Sequence, residues 1–289
     1  MEYILNLSCP DQAGLVRTVS SWLFGEGCNI NDSDQFGDPV SNRFFMRVHF
    51  SSAARSLADG SNEVSLEGLT ESFRGIAIQY DMNWELWQKD RKPRVLIMVS
   101  KEDHCLIDLL YRTRNGELAI DIPLVVSNHR DTYPLVAAED IDFLHLPISR
   151  DNKAEQEQQL LSEIQRRQID FIVLARYMQI LSPTVCDALS GRVINIHHSF
   201  LPGFKGAKPY HQAFERGVKL IGATAHYVTA DLDEGPIIEQ GIERVDHRMD
   251  AKQLAAVGRD IERMVLSKAV RYQAEHRILL NGSRTVVFQ

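Results

Sequence analysis

Asn195, His197 and, 38 positions further on (233 minus 195), Asp233 supply an amide, an imidazole and a carboxylate. Together they are the parts needed to attack a carbonyl. The amide NH₂ and a protonated imidazole can stabilise an oxyanion, and the carboxylate can orient the imidazole or relay a proton. Asn195 and His197 close the run R-V-I-N-I-H and stand two apart, on the same side of a strand. Spacing alone leaves open a plainer reading, in which polar residues only cap strand ends. A metal reading would use His197, His198, His211 and His226. Adjacent histidines on a strand face opposite sides, and no H-x-x-x-H or Cys/His cluster has zinc spacing. A covalent reading would use Ser199, which has no G-x-S-x-G elbow, or one of Cys9, Cys28, Cys105 and Cys186, which have no base nearby in sequence.

The elements that must position these groups are legible. V-L-I-M-V-S is a continuous apolar run, expected of a strand buried on both faces of a parallel sheet. The runs I-P-L-V-V-S-N, F-L-H-L-P, F-I-V-L-A and V-I-N-I-H follow, separated by helical or polar stretches, of which Ala154 to Arg167 is the clearest helix. Alternation of this kind predicts an α/β, doubly wound parallel sheet. Such sheets bind ligands beyond the carboxyl ends of their strands, where Asn195 and His197 fall. Asp233 lies in D-L-D-E-G-P-I-I, a turn between the strands K-L-I-G-A-T-A-H-Y-V and I-I-E-Q-G-I-E-R-V. A helix over about Ala251 to Glu275 and a hairpin turning on Asn281-Gly282 complete the chain.

The first 87 residues read differently. Strand, helix, two strands, helix, strand is the order of a ferredoxin-like βαββαβ unit. Asp11 is the expected N-cap of its first helix, whose Leu15, Val16, Val19, Trp22 and Leu23 recur at helical spacing. Gln88 to Arg94 is charged, with Pro93 its single apolar residue, and reads as a linker. The expected division is therefore 1–87, a linker at 88–94, and 95–289. Plain dimerisation is the simplest role for such a first domain.

A net charge of −7 argues against a nucleic-acid footprint, which needs a basic stripe. No apolar run nears the roughly 18 residues of a membrane helix, and the N-terminus lacks a signal peptide's charged region. Four separated cysteines without a C-x-x-C pair read as free thiols, so a cytoplasmic protein is expected.

N-I-H-H-S-F-L-P, followed by G-A-T-A-H-Y-V-T-A-D-L-D-E-G-P-I-I, resembles the signature of the formyltransferase family that uses 10-formyltetrahydrofolate. The likeness spans roughly Arg94 to Arg277. It implies that Asn195, His197 and Asp233 are the catalytic triple, with His226 a secondary catalytic candidate. It also implies a pterin site formed by Met178, Gln179, Ile180 and Leu181 with Thr229 and Asp231. In the first domain, C-P-D-Q-A-G-L-V-R and G-C-N-I-N look like an ACT domain, an amino-acid-sensing module. The wording F-K-G-A-K-P-Y-H-Q-A-F-E-R-G-V-K, and His198 where transformylases commonly have proline, brings the whole chain closer to the formyltetrahydrofolate deformylases.

That resemblance implies hydrolysis of 10-formyltetrahydrofolate to formate and tetrahydrofolate, serving purine biosynthesis and the balance of one-carbon folate pools. Formyl transfer to an amine such as glycinamide ribonucleotide is the alternative, and a folate-binding sensor without activity a third reading. The folate is substrate and no cofactor or metal is expected. If an effector binds, the family reading places it at Asp11, Gln12, Ala13 and Gly14, near Asn29 and Asn31, at a subunit interface. Methionine and glycine are the implied effectors, and a homo-oligomer through the ACT domains the implied assembly.

Overall fold

A computed structural model describes residues 1–52, 64–203 and 209–289, which gather into two compact units. Residues 204–208, part of the wording that narrows the resemblance, lie outside the described residues. Among the described residues, no helix is long and apolar enough to cross a membrane.

In the first unit, β1 (Glu2–Pro10), α1 (Leu15–Gly25), β2 (Cys28–Asp38), β3 (Arg43–Ser52), α2 (Leu66–Gln79) and β4 (Asn83–Gln88) follow in chain order. The four strands form one antiparallel sheet ordered β2-β3-β1-β4. Leu15, Val19, Trp22 and Leu23 recur every three or four residues and put one face of α1 in the core. There the Trp22 ring meets Phe73 of α2 at 4.6 Å. Its indole N–H donates to Ser72 Oγ at 2.9 Å. The helix starts later than expected. Gly14, in the left-handed region at φ 95°, is its cap, and no side chain caps it. Asp11 instead leads its strand off the sheet, where its amide donates to the Asn42 carbonyl at 3.0 Å.

The second unit opens with β5 (Arg94–Val99) and α3 (His104–Arg114). Then come β6 (Asp121–Ser127), α4 (Tyr133–Ala137), β7 (Asp142–His145), α5 (Lys153–Arg166), β8 (Phe171–Leu174), α6 (Pro183–Ala188) and β9 (Val193–His197). After α7 (Pro209–Glu215) come β10 (Leu220–Tyr227), β11 (Ile237–Arg244) and α8 (Ala251–Ala274). Seven strands make one sheet, ordered β11-β10-β9-β8-β5-β6-β7. β5 to β9 run parallel, as their buried apolar runs predict. β10 does not: both of its pairings are antiparallel, so it runs against the other six strands and a doubly wound sheet carries a mixed edge. The D-L-D-E-G-P turn returns the chain directly from β10 to β11, without the crossover helix that a parallel neighbour needs.

The chain builds outward from β5 to β7, then crosses back to lay β8 on the other flank of β5. That reversal is the switch point at which open sheets leave a crevice. The division differs from the sequence reading at the far end. Glu275–Asn281 and Thr285–Gln289, carrying most of β12 (Ile278–Asn281) and β13 (Arg284–Val287), belong to the first unit rather than the second. A small apolar cluster, Leu279, Val286 and Phe288 on Phe45 of β3, and polar clamps explain this. Arg47 of β3, buried at 4% exposure, donates to the carbonyls of Glu275 and His276 at 3.0 and 3.2 Å. Asn6 of β1 donates to the same His276 carbonyl at 2.8 Å. Buried Asn281 donates to buried Asp38 at 2.7 Å.

Candidate active site

β9 ends beside the switch point, and its alternation turns Asn195 and His197 to one face. The register of β10 sets His226 opposite Asn195 and Thr224 opposite His197, so these side chains share that face. Asn195 Nδ2 lies 3.2 Å from His226 Nε2. His226 Nδ1 is 2.9 Å from the Tyr227 carbonyl, which can only accept, so Nδ1 carries the proton. Nε2 then faces both Asn195 Nδ2 and Asp233 Oδ1, and one Asn195 N–H is left for a ligand.

Asp233 reaches the same place from the turn between β10 and β11. Its φ of 57° is left-handed, and Gly235 just beyond packs so tightly that an added Cβ would lie 1.8 Å from the Tyr227 oxygen. Asp233 Oδ2 is 3.2 Å from His197 Nδ1, and Oδ1 is 3.7 Å from His226 Nε2. Burial works to raise its pKa, but the hydrogen bonds and charges of the two histidines outweigh it and hold the carboxyl well below the usual range. Asp233 is thus ionised at neutral pH. His197, 5% exposed, gives Nδ1 to Asp233, while its Nε2 is buried with no hydrogen-bond partner among the described residues.

His197 lines a cavity of about 610 Å³ together with Asn195, His226 and Asp233. Met178, Gln179, Ile180, Leu181, Thr229 and Asp231 line it as well, so all the residues expected around a folate converge on it. Met178 and Ile180 are exposed apolar residues there. Their loop is pinned from two sides. Ser100 at the end of β5 accepts the Met178 amide at 2.9 Å, and Glu157 of α5 accepts the Ser182 amide at 2.9 Å.

His198 does not lie across the strand from His197. β9 stops at His197, and the turn brings the next ring back into the same cavity, stacked 5.2 Å from His197. Thr224 Oγ1 holds that turn, donating to the Ser199 carbonyl at 2.9 Å and accepting the Leu201 amide at 3.1 Å. Sequence reasoning missed Arg176, Glu262 and Tyr210 around His198, and His104 on Glu262. Ser199 Oγ is turned to the Gly203 carbonyl at 3.1 Å, away from a nucleophile's role. Among the described residues, His104, Cys105 and Glu262 alone approach as a metal-ligand set. Burial drives the Cys105 thiol well above its ordinary pKa, and both Glu262 oxygens already hold Tyr210 and His104.

The expected effector residues are not brought together within one chain. Asp11 adjoins the Pro10↔Arg43 rung, whereas Asn29 pairs with Ser51. Eight residues of β3 separate those rungs, about 26 Å at a strand's rise. Asn31 accepts Ser51 Oγ at 3.2 Å at the far end.

A strand-end amide, imidazole and carboxylate thus line one cavity at the carboxyl end of the sheet, in a fold shared with the formyl-group enzymes. Residues 93–270 match the formyl transferase family. A curated formyltetrahydrofolate deformylase of Bacillus subtilis is 48% identical over 98% of this chain and 93% of its own. A solved formyltetrahydrofolate deformylase from Burkholderia mallei superposes with a TM-score of 0.93 at 51% identity, covering 100% of this chain and 99% of that one. A glycinamide ribonucleotide transformylase from Symbiobacterium toebii matches 70% of this chain and 96% of its own, at 30% identity and a TM-score of 0.64. The chain belongs to the formyltetrahydrofolate deformylase family.

Proposed function

We propose that the protein hydrolyses 10-formyltetrahydrofolate to tetrahydrofolate and formate, with Asn195, His197 and Asp233 as its catalytic groups. The observation that carries this is the buried, unpartnered Nε2 of His197 beside the free N–H of Asn195. With Asp233 on Nδ1, that nitrogen is the site's open proton-handling atom. An aspartate held so far below its usual pKa is a weak base, so its role is to orient His197 and offset the charge His197 gains. Water gives a proton to Nε2 as its oxygen bonds the formyl carbon, and the former carbonyl oxygen becomes an oxyanion held by Asn195. The imidazolium returns the proton to N10 as the C–N bond breaks, leaving formic acid to ionise.

Transfer to glycinamide ribonucleotide is the alternative, and the loop after β5 speaks against it. K-E-D-H-C holds exposed Glu102 and Asp103 at the start of α3, where a phosphate would meet like charge. Water needs no such seat. We read the first unit as an ACT-like, ferredoxin-type module that carries methionine and glycine responses through assembly with a second copy. The separation of Asp11–Gly14 from Asn29 and Asn31 supports a site shared between subunits. We also read the enzyme as cytoplasmic and as a source of formate for purine synthesis. Incubating the full chain with 10-formyltetrahydrofolate alone should release formate, and adding glycinamide ribonucleotide should not raise the rate. Formylated acceptor in place of free formate would promote the transferase reading.

A further inference from the structure

Behind the triple lies a second group of titratable side chains that the proposed chemistry leaves unused. Glu262 of α8 is 1% exposed. It accepts the Tyr210 hydroxyl at 2.6 Å and His104 Nε2 at 2.8 Å, and it faces Arg176 Nε at 3.4 Å. Arg176 follows β8 in the left-handed region, at φ 64°, a conformation uncommon for a residue with a side chain. Its Nη1 meets His198 Nδ1. A guanidinium has only donors, so His198 Nδ1 must be an acceptor and its proton must sit on Nε2. The ring bound in this way stacks on His197, with centroids 5.2 Å apart and planes at 23°.

We propose that Arg176, anchored by Glu262, is a positioning residue: it locks His198 as a neutral ring against His197, so that the pair takes up one proton and His197 alone carries it. The inference rests on the proposed role of His197. The groups facing His198 are Arg176, Glu262 on α8, His197 on β9, Asp233 on the β10–β11 turn and the Tyr210 phenol on α7. Burial and then the Arg176 charge push His198 down to about 4, in keeping with the geometry. Without Arg176 the burial remains but the neighbouring cation is gone, so the basicity of His198 rises part of the way toward an ordinary imidazole's. On acidification it then becomes a second cation against the ring that must accept the catalytic proton.

Two measurements on the full chain test this. In the first, side-chain nitrogen NMR of the unliganded wild type follows the His198 tautomer from pH 8 to pH 5. It should stay neutral with its proton on Nε2, and protonation above pH 6 would overturn the proposal. This readout needs no variant and no turnover, so it stands apart from the hydrolase reading, which fails instead if the wild type releases no formate. In the second, formate release is followed against pH. Arg176→Gln should add an ionisation above that of wild-type His198, between about pH 4 and pH 6.5, so that kcat falls at least about threefold further at pH 5 than at pH 8.5. Arg176→Lys should keep the wild-type shape, and Arg176→Gln with His198→Phe should lose the extra ionisation. A loss in Arg176→Gln that is equal at every pH, or one that His198→Phe leaves in place, would make Arg176 a structural residue only.

Discussion

Replacing Gly235 by Ala adds one methyl group and removes no polar group of the site, so it perturbs geometry first. The new Cβ would lie 1.8 Å from the Tyr227 oxygen, 2.9 Å from its carbonyl carbon and 3.3 Å from Thr229 Cγ2. Ordinary contact begins near 3.4 Å, so the backbone on one side must retreat by about 1.5 Å. The Tyr227 side is fixed by the ladder, because Tyr227 of β10 pairs with Ile194 of β9 in the sheet. The turn that carries Asp233 must therefore move. A displacement of about 1 Å costs a catalytic constellation on the order of 100-fold. Overpacking costs about 1–3 kcal/mol of stability, or a few degrees of Tm for a protein of this size. The expected result is a folded enzyme with kcat for formate release down about 100-fold and KM changed far less. Gly282→Ala is the control: its φ of 62° is also left-handed, but nothing lies within 4 Å of the added Cβ. It should cost about 1 kcal/mol and leave kcat alone. A Gly235→Ala enzyme with wild-type kcat would refute the claim that this turn sets Asp233.

Asn195→Ala and His197→Ala should each lower kcat about 100-fold or more in the same assay while preserving the circular dichroism spectrum; either variant at wild-type rate would remove that residue from the site. His198→Phe should make stability less sensitive to acid. Its folded pKa, near 4, lies below the unfolded 6.5, so its contribution is full above pH 6.5 and falls by up to about 3 kcal/mol as pH drops to 4. Denaturant midpoints at pH 7 and pH 4.5 that fall equally in variant and wild type would contradict this. Asn281→Ala should destabilise the first unit by about 1–3 kcal/mol, because it strips Asp38 of a buried donor. Hydrogen exchange in β2 and β3 would report it.

The buried strands were legible because a parallel interior needs apolar residues on both faces, and V-L-I-M-V supplies them. Asn195 and His197 were legible from alternation of two. What alternation cannot supply is register, and it is the antiparallel pairing of β9 with β10 that sets His226 opposite Asn195. His198 was misplaced by extending the same alternation one residue past the strand's end. The last hairpin was assigned to the wrong unit because its ties, the polar contacts of Asn6, Arg47 and Asp38 and the packing of Leu279 and Phe288 on Phe45, reach across more than 220 positions. Asp11 fits a capping pattern, but the chain needs three more residues to leave the sheet before it can turn into α1.

Glu262 could have been read, and how it could have been read bears on what it does. In α8 the buried residues Leu254, Gly258, Ile261, Val265, Leu266 and Ala269 recur at three- and four-residue spacings, and Glu262 falls on the same stripe. A carboxylate on an apolar helix face must find partners or be neutralised, since its burial alone costs several kcal/mol. Here the partners come from three other elements, His104 of α3, Tyr210 of α7 and Arg176 after β8. Gly258, one turn earlier, lets the Tyr210 ring come so close that an added Cβ would lie 2.1 Å from it. Replacing the four charged or polar groups by apolar ones could satisfy packing equally well. What an apolar plug could not do is present a fixed donor to His198 Nδ1. The helix therefore carries its one buried carboxylate where the requirement is a defined proton position rather than core stability, which is the expectation for a site built around a single proton-accepting imidazole.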